Sequence, residues 1–239
     1  MKAMVLERYD AELVPREVPD PRPAADEILI AVRACGMCYT DIKLVTGQLG
    51  PGIRLPTIPG HEIAGEVVEV GSAVRGLQVG DKGVVYCVVT CGVCEMCRTG
   101  RENLCLDTRR LGFELSGGFA ELATLPAVNF CPFSAEVPFW EMAILPDAVA
   151  TPFHALERRA RLRLGETVLI VGIGGLGIHA VQIAVGKGAL VIAADVNDGA
   201  LELARAHGAH WTLNPSREAP GPKIHEITSG RGVDLVLEG

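Results

Sequence analysis

Four of the eight cysteines crowd into the stretch "CGVCEMCRTGRENLC", where Cys91, Cys94, Cys97 and Cys105 follow the spacing C-x2-C-x2-C-x7-C. Four thiolates this close can wrap one tetrahedral ion and leave no position open, which describes a closed structural zinc. An iron–sulfur cluster competes, because C-x2-C-x2-C also opens ferredoxin runs; those close with a C-P step, whereas Leu106 follows Cys105 here. Disulfides are a third reading, disfavoured in a reducing compartment. A site whose four positions are all filled by protein has nowhere to take a substrate, so metal chemistry must lie elsewhere.

The second stretch with chemical meaning is "GIGGLG", Gly172 to Gly177, which fits G-x-G-x-x-G between an apolar run and an amphipathic one. In a strand–turn–helix context, Gly172 permits the tight turn and Gly174 lets backbone approach a pyrophosphate. Gly177 lets helix and strand pack, and Gly175 and Leu176 complete the turn. Asp195 ends the next apolar run, where an acid accepts hydrogen bonds from the adenosine ribose. Its charge repels a 2′-phosphate and neither Val196 nor Asn197 supplies an arginine, which favours NAD over NADP. An ordinary turn with a capping aspartate is the plainer alternative.

These residues need elements to hold them, and the 239-residue chain uses two grammars to provide them. Up to about residue 150 it alternates in short β-like runs such as "DEILIAVRAC", "IAGEVVEVG" and "DKGVVYCVV", broken by prolines and glycines. That pattern suits a barrel or sandwich. Beyond it, Thr151-Pro152 reads as a cap and first turn of a helix. "ETVLIVGIGGLGIHAVQIAVGKGALVIAADV" then gives strand, turn, helix and strand, with Ile178, Val181 and Val185 as the buried stripe. "DGALELARAHGA" reads as a helix capped by Asp198, and "HWTLN" and "GVDLVLEG" as third and fourth strands. Apolar strands alternating with helices imply a parallel sheet covered on both faces. The formal charge of −7, with no basic stripe, argues against a nucleic-acid binder. No apolar run reaches membrane-spanning length and no signal peptide is readable before Glu7 and Asp10, so the expected location is the cytoplasm.

"CGMCYTD", "PGHEIAGEV", the four-cysteine lobe, "GGFAE" and "GIGGLG", in this order along the whole chain, resemble the zinc-dependent medium-chain alcohol dehydrogenases. The resemblance implies an α/β protein with a GroES-like β-barrel catalytic domain over 1–150, including a structural zinc lobe at about 88–108. A Rossmann coenzyme domain, represented by its first part, follows over 151–239. It implies two zinc ions, one catalytic and one structural, and NAD. Cys38 and His61 match the first two ligands of the catalytic zinc, and Glu62 the neighbouring acid that coordinates in some members. Thr40 matches the hydroxyl that relays the substrate's proton, Asp41 the carboxylate that orients the ligand histidine, and Thr151 a residue beside the nicotinamide. The expected reaction is hydride transfer between NAD and a primary, secondary or cyclic alcohol, giving an aldehyde or ketone. The full-length form is expected to be a dimer or tetramer, with no nucleic-acid or membrane partner.

The departures from the family pattern are specific. Asp147 stands where a cysteine is commonly the third catalytic ligand; it is read as that ligand, against a capping or supporting role with Glu62 on the metal instead. Lys43 occupies the place of a proton-relay histidine, and Ala200 that of a lysine common in NAD-specific members. Cys35 forms C-x-x-C with Cys38 and is expected, with Cys87 and Cys131, to be a buried structural cysteine rather than half of a redox pair. Cys87 and Phe113 are candidate pocket residues that define neither a size nor a charge. The chain reads as a fragment of a longer enzyme, the alternative being a truncated, catalytically inactive zinc- and nucleotide-binding module.

Overall fold

A computed structural model of the chain describes residues 1–50, 52–133 and 136–239. It divides into two compact units, Met1–Asp147 and Ala148–Gly239. The first is built from antiparallel strands. β1 (Lys2–Val5) pairs with β2 (Val14–Glu17), and the long β3 (Glu27–Gly36) leads into the helix α1 (Tyr39–Val45). There follow β4 (Glu62–Val70), β5 (Lys82–Val85), β6 (Val88–Val89), the single turn α2 (Glu95–Arg98), β7 (Arg109–Arg110), β8 (Leu122–Pro126) and β9 (Phe130–Pro132). Among the described residues, five strands join in the order β8-β3-β4-β5-β9 and β6 pairs with β7. Ile28 and Ile30 of β3 and Ile63 and Val67 of β4 are buried in one cluster, as the alternation requires. Leu29, on the opposite face of β3, is buried as well. Cys131 differs from expectation: it lies exposed on β9.

Two register shifts interrupt the pairing of β3 with β4, and pairing resumes so that Gly36 faces Glu62. That end of the ladder matters most, since it delivers Cys38 and His61 to the same place. "GGFAE" holds the β4 side: the Gly117, Gly118 and Phe119 amides donate to the carbonyls of Ile58, Gly60 and Pro59 at 2.7, 2.8 and 3.0 Å.

From Phe139 to Arg159 the chain is a broken helical run: α3 (Phe139–Ala143), a π-helical turn Leu145–Val149, α4 (Ala150–Phe153) and a second π-turn His154–Arg159. Thr151 therefore lies inside α4, which corrects its reading as a helix cap. A proline cannot donate to the carbonyl four residues back; Pro146 lies in the first, wider π-turn, and Pro152 in the first turn of α4, where an amide has no partner within that helix.

The second unit continues with β10 (Thr167–Val171), α5 (Gly175–Gly186), β11 (Leu190–Ala194), α6 (Asp198–Ala206), β12 (Trp211–Leu213), α7 (Pro220–Ile227) and β13 (Leu235–Glu238). All pairings are parallel, in the order β12-β11-β10-β13, the 3-2-1-4 order in which a doubly wound dinucleotide-binding sheet begins. Val181 of α5 is fully buried and Ile178 and Val185 pack against the same core, together with Ala180 and Ala184. The cap of α6 is Asn197, whose side chain accepts from the Gly199 and Ala200 amides; Asp198 is the first helical residue instead. Among the described residues no helix is long and apolar enough to cross a membrane.

Candidate metal centres and nucleotide turn

Cys38 sits at the N-cap of α1 in extended conformation, and its sulfur accepts from the Thr40 amide at 3.5 Å. Asp41 closes the capping box, accepting from the Cys38 amide through Oδ2 at 2.9 Å. Its other oxygen, Oδ1, lies 3.2 Å from Nδ1 of His61. One carboxylate thus caps the helix and orients the histidine, leaving Nε2 as the ring atom presented to the site. Asp147 Oδ2 lies 3.1 Å from that Nε2, carried there by the π-turn.

Cys38, His61, Glu62 and Asp147 each offer one donor atom, and these atoms all lie within 4.8 Å of one another. Two ligands about 2 Å from one tetrahedral ion stand roughly 3.3 Å apart, so the His61–Asp147 spacing suits a shared ion. The donor set, one thiol, one imidazole and carboxylates, fits zinc, and any three of its four donors on the ion would leave a tetrahedral position open. The Glu62 carboxylate fills the space a side chain at Gly36 would take: a Cβ there would meet Glu62 Oε2 at 2.0 Å.

The electrostatics follow from this packing. Burial works against a charged His61, but hydrogen bonds with Asp147, Asp41 and Cys38 outweigh it and push its pKa up to about 12. Cys38 is lowered, chiefly by its hydrogen bond with His61. Cys35 behaves oppositely: burial first, then the nearby Asp41 charge, raise its thiol to about 12. A thiol that resists ionising is a poor nucleophile, which disfavours a Cys35–Cys38 redox pair. Thr40 is half-buried with Oγ1 3.4 Å from the Cys38 sulfur. Lys43 is exposed, its Nζ 5.4 Å from the Tyr39 ring centroid.

The four lobe cysteines form a second constellation. Cys94 and Cys97 sulfurs stand 3.5 Å apart, Cys91 and Cys105 3.6 Å, and Cys91 and Cys97 4.0 Å. A disulfide needs about 2 Å, and all four thiols are free. Thiolates around one zinc stand roughly 3.8 Å apart, which these match. Backbone amides favour two of the thiolates: those of Leu106 and Cys97 pull Cys94 down to about 6, and that of Cys91 lowers Cys105, whereas burial first, and then the neighbouring thiols, push Cys97 up to about 12.

In the second unit the glycine turn joins β10 to α5, with Gly174 at the helix N-cap and Gly175 and Leu176 opening the helix. A Cβ at Gly177 would lie 1.8 Å from the Gly172 carbonyl oxygen, so only glycine allows this approach. Asp195 follows β11 directly and accepts from the Ile173 amide at 2.6 Å and the Asn197 amide at 2.8 Å. The carboxylate is thereby fixed beside the turn. Thr151 is exposed on α4.

Phe113 is the site residue whose contact the sequence did not disclose. Its ring packs on the His61 imidazole, with centroids 4.9 Å apart. Nothing in "RRLGFELSGG" signals a partner so distant in the chain.

Comparison with known proteins places these features in one family. The family model described as "Alcohol dehydrogenase GroES-like domain" matches residues 24–135, and that described as "Zinc-binding dehydrogenase" matches 175–239. An alcohol dehydrogenase of Geobacillus stearothermophilus is 37% identical over 231 residues, covering 96% of this chain and 68% of the relative. An L-threonine 3-dehydrogenase of Pyrococcus horikoshii is 38% identical over 233 residues, covering 96% of this chain and 66% of the relative. The crystal structure of an NAD-dependent alcohol dehydrogenase superposes with a TM-score of 0.93 at 30% identity, covering 99% of this chain and 70% of that one. The chain thus spans about two thirds of these relatives' lengths. With both family models matched in order, and a zinc-compatible donor set in each region the motifs indicated, the chain belongs to the zinc-type alcohol dehydrogenases of the medium-chain dehydrogenase family.

Proposed function

We propose that the chain carries the catalytic metal site and the nucleotide turn of an NAD-dependent zinc dehydrogenase acting on small alcohols and the corresponding aldehydes or ketones. The observation that carries this reading is the convergence of Cys38, His61, Glu62 and Asp147 donor atoms within 4.8 Å, apart from the closed four-cysteine set. Cys38, His61 and Asp147 are the assigned ligands. Zinc bound there would offer an open Lewis-acid position that lowers the pKa of a hydroxyl toward neutrality. NAD would supply the hydride acceptor.

The chain's own residues do the rest. Asp41 holds Nδ1 of His61 and so aims Nε2. Thr40, on the first turn of α1, takes the substrate's hydroxyl proton and hands its own onward. Glu62, buried beside Gly36, stands by as an additional carboxylate. The first amides of α5 have no intrahelical carbonyl to serve and receive the pyrophosphate over Gly172–Gly177. Asp195 accepts from the ribose hydroxyls, and Thr151 lies beside the nicotinamide. In domain terms, 1–150 is the catalytic domain with its zinc lobe at 88–108, and 151–239 is coenzyme-binding. A cytoplasmic location, and for the full-length form the dimer or tetramer that the resemblance implies, complete the reading.

Zinc content tests the assignment: two ions per chain are expected. Asp147→Ala should lose one and keep the four-cysteine ion, and unchanged occupancy would refute its ligand role. A panel of alcohols with NAD, read by NADH formation, then identifies the substrate class.

A further inference from the structure

Two in-plane contacts define a ligand histidine, one at each ring nitrogen. Here they are Asp41 at Nδ1 and the metal site at Nε2. With the bond to Cβ they set the ring plane against long, soft contacts, and a group packed on the ring face restricts the torsional libration that these leave. Phe113 is that group, tilted 41° to the imidazole and only 3% exposed. Arg110 lies against the same phenyl ring, its guanidinium carbon 4.6 Å from the centroid. An aromatic face attracts a guanidinium, and the attraction holds the ring as much as the cation. Arg110 is itself gripped by Glu114, at 2.6 Å (Nη2–Oε1) and 3.1 Å (Nε–Oε2), while Glu114 Oε2 also accepts from the Arg110 amide at 2.8 Å. The Thr57 hydroxyl donates to the Phe113 carbonyl at 3.3 Å and fixes the backbone behind the ring.

We infer that Glu114, Arg110 and Phe113 form a positioning stack that steadies the plane of the His61 ring and so the geometry of the metal site. The inference rests on the reading of His61 as a metal ligand. Its residues are positioning residues: none of them donates to the metal. Phe113 also belongs to a small core with Leu6, Leu44 and Ile53, so a test must separate ring orientation from packing.

The experiment compares wild type, Phe113→Leu, Arg110→Met and the double variant, each loaded with zinc or with cobalt(II). Leucine keeps an apolar core residue but removes the flat face; methionine keeps the stem and removes the charge at a partly exposed position. Three quantities are read: metal affinity by chelator competition, the cobalt difference spectrum after the common four-cysteine contribution cancels, and the thermal midpoint of the metal-free chain. Phe113→Leu should weaken the Cys38/His61 metal by roughly 10-fold, the low end of the range for partners of a metal ligand. It should also shift the cobalt bands while leaving the lobe's metal in place. Arg110→Met should move both readouts in the same direction by less, and the double variant should match Phe113→Leu, because arginine acts through the ring. Unchanged affinity and spectrum in Phe113→Leu would overturn the stack. If that variant fails to fold, unchanged values in Arg110→Met overturn it equally. Additive losses in the double variant would overturn the serial arrangement. A wild-type chain holding one metal instead of two would remove the reading of the site itself, an outcome distinct from all of these.

Discussion

At the residue scale, Asp41 shows how tightly structure and chemistry can share one side chain. Its two oxygens serve different masters, the Cys38 amide and the His61 ring. Asp41→Asn keeps an oxygen for one of them and loses the charge that favours the donor tautomer at Nδ1. The expected result is a fall of about 10- to 100-fold in metal affinity, with a stability loss of only about 1 kcal/mol, the scale of a helix cap. Chelator competition and denaturant unfolding on the same sample measure the two separately. Gly36 makes a complementary case: Gly36→Ala drives a methyl into the buried Glu62 carboxylate. A loss of about 1–3 kcal/mol, typical of overpacking, is expected from denaturant unfolding. Cys38, His61, Thr40 and Asp41 were legible because motif order singled them out. Phe113 on His61 was not, since 52 positions separate them and no short-range pattern encodes a tilted ring contact at that distance.

At the scale of elements, the lobe around α2 is the clearest dependency. Between residues 88 and 108 only Val89 and Cys97 are buried among the described residues. So little apolar burial cannot order a loop that long, and a metal must do the work of a core. Cys97→Ser should release the lobe's zinc and open Arg98 and Arg101 to trypsin, while the far-ultraviolet dichroism of the rest persists. The start of β13 offers a pH handle. Asp234 accepts from the Thr167 amide at 2.7 Å and pairs with Arg231. The pairing first, and the amide second, hold its carboxyl below the ordinary range. A depressed carboxyl stabilises the fold above its unfolded pKa and loses that contribution as pH falls through the folded value. Asp234→Asn should therefore flatten the acid limb of stability below the ordinary carboxylate range and leave neutral-pH slopes alone, as urea midpoints against pH would record. The strand–turn–helix at Gly172 was fully legible, because three glycines and a terminal acid are a local code. The helical run over Pro146 and Pro152 was not: prolines read as boundaries, and a π-turn such as the one holding Pro146 leaves no composition signal. Helix α7, opening at Pro220 amid glycine and proline, went unread for the same reason.

At the scale of the molecule, two units carry separate cores and two metal-compatible clusters, both in the first unit. The clusters differ in what supports them. The Cys38/His61 site is backed by the paired ends of β3 and β4, with Asp41 and Asp147 held at the two ring nitrogens of His61. The lobe is closed at its base only by the two-residue pairing of β6 with β7. Stepwise chelation should therefore lose function first, with a folded intermediate, and lose lobe structure only when the second ion leaves. Zinc release followed beside dichroism and activity would reveal the order; simultaneous loss of both signals would contradict it. The barrel-plus-parallel-sheet architecture was readable from the change in strand grammar near residue 150. The pairing order of the barrel strands was not, since antiparallel partners distant in sequence leave no local trace.

The clamp of the 117–119 segment on the 58–60 segment has one more consequence. The strand that delivers His61 is anchored by peptide amides on peptide carbonyls, with no side-chain chemistry in the bonds themselves. Lineages adapting to new alcohols could therefore redraw the side chains around this histidine while its anchorage stays put. A mutational library aimed at altered substrate range would do well to vary the walls and spare Gly117 and Gly118.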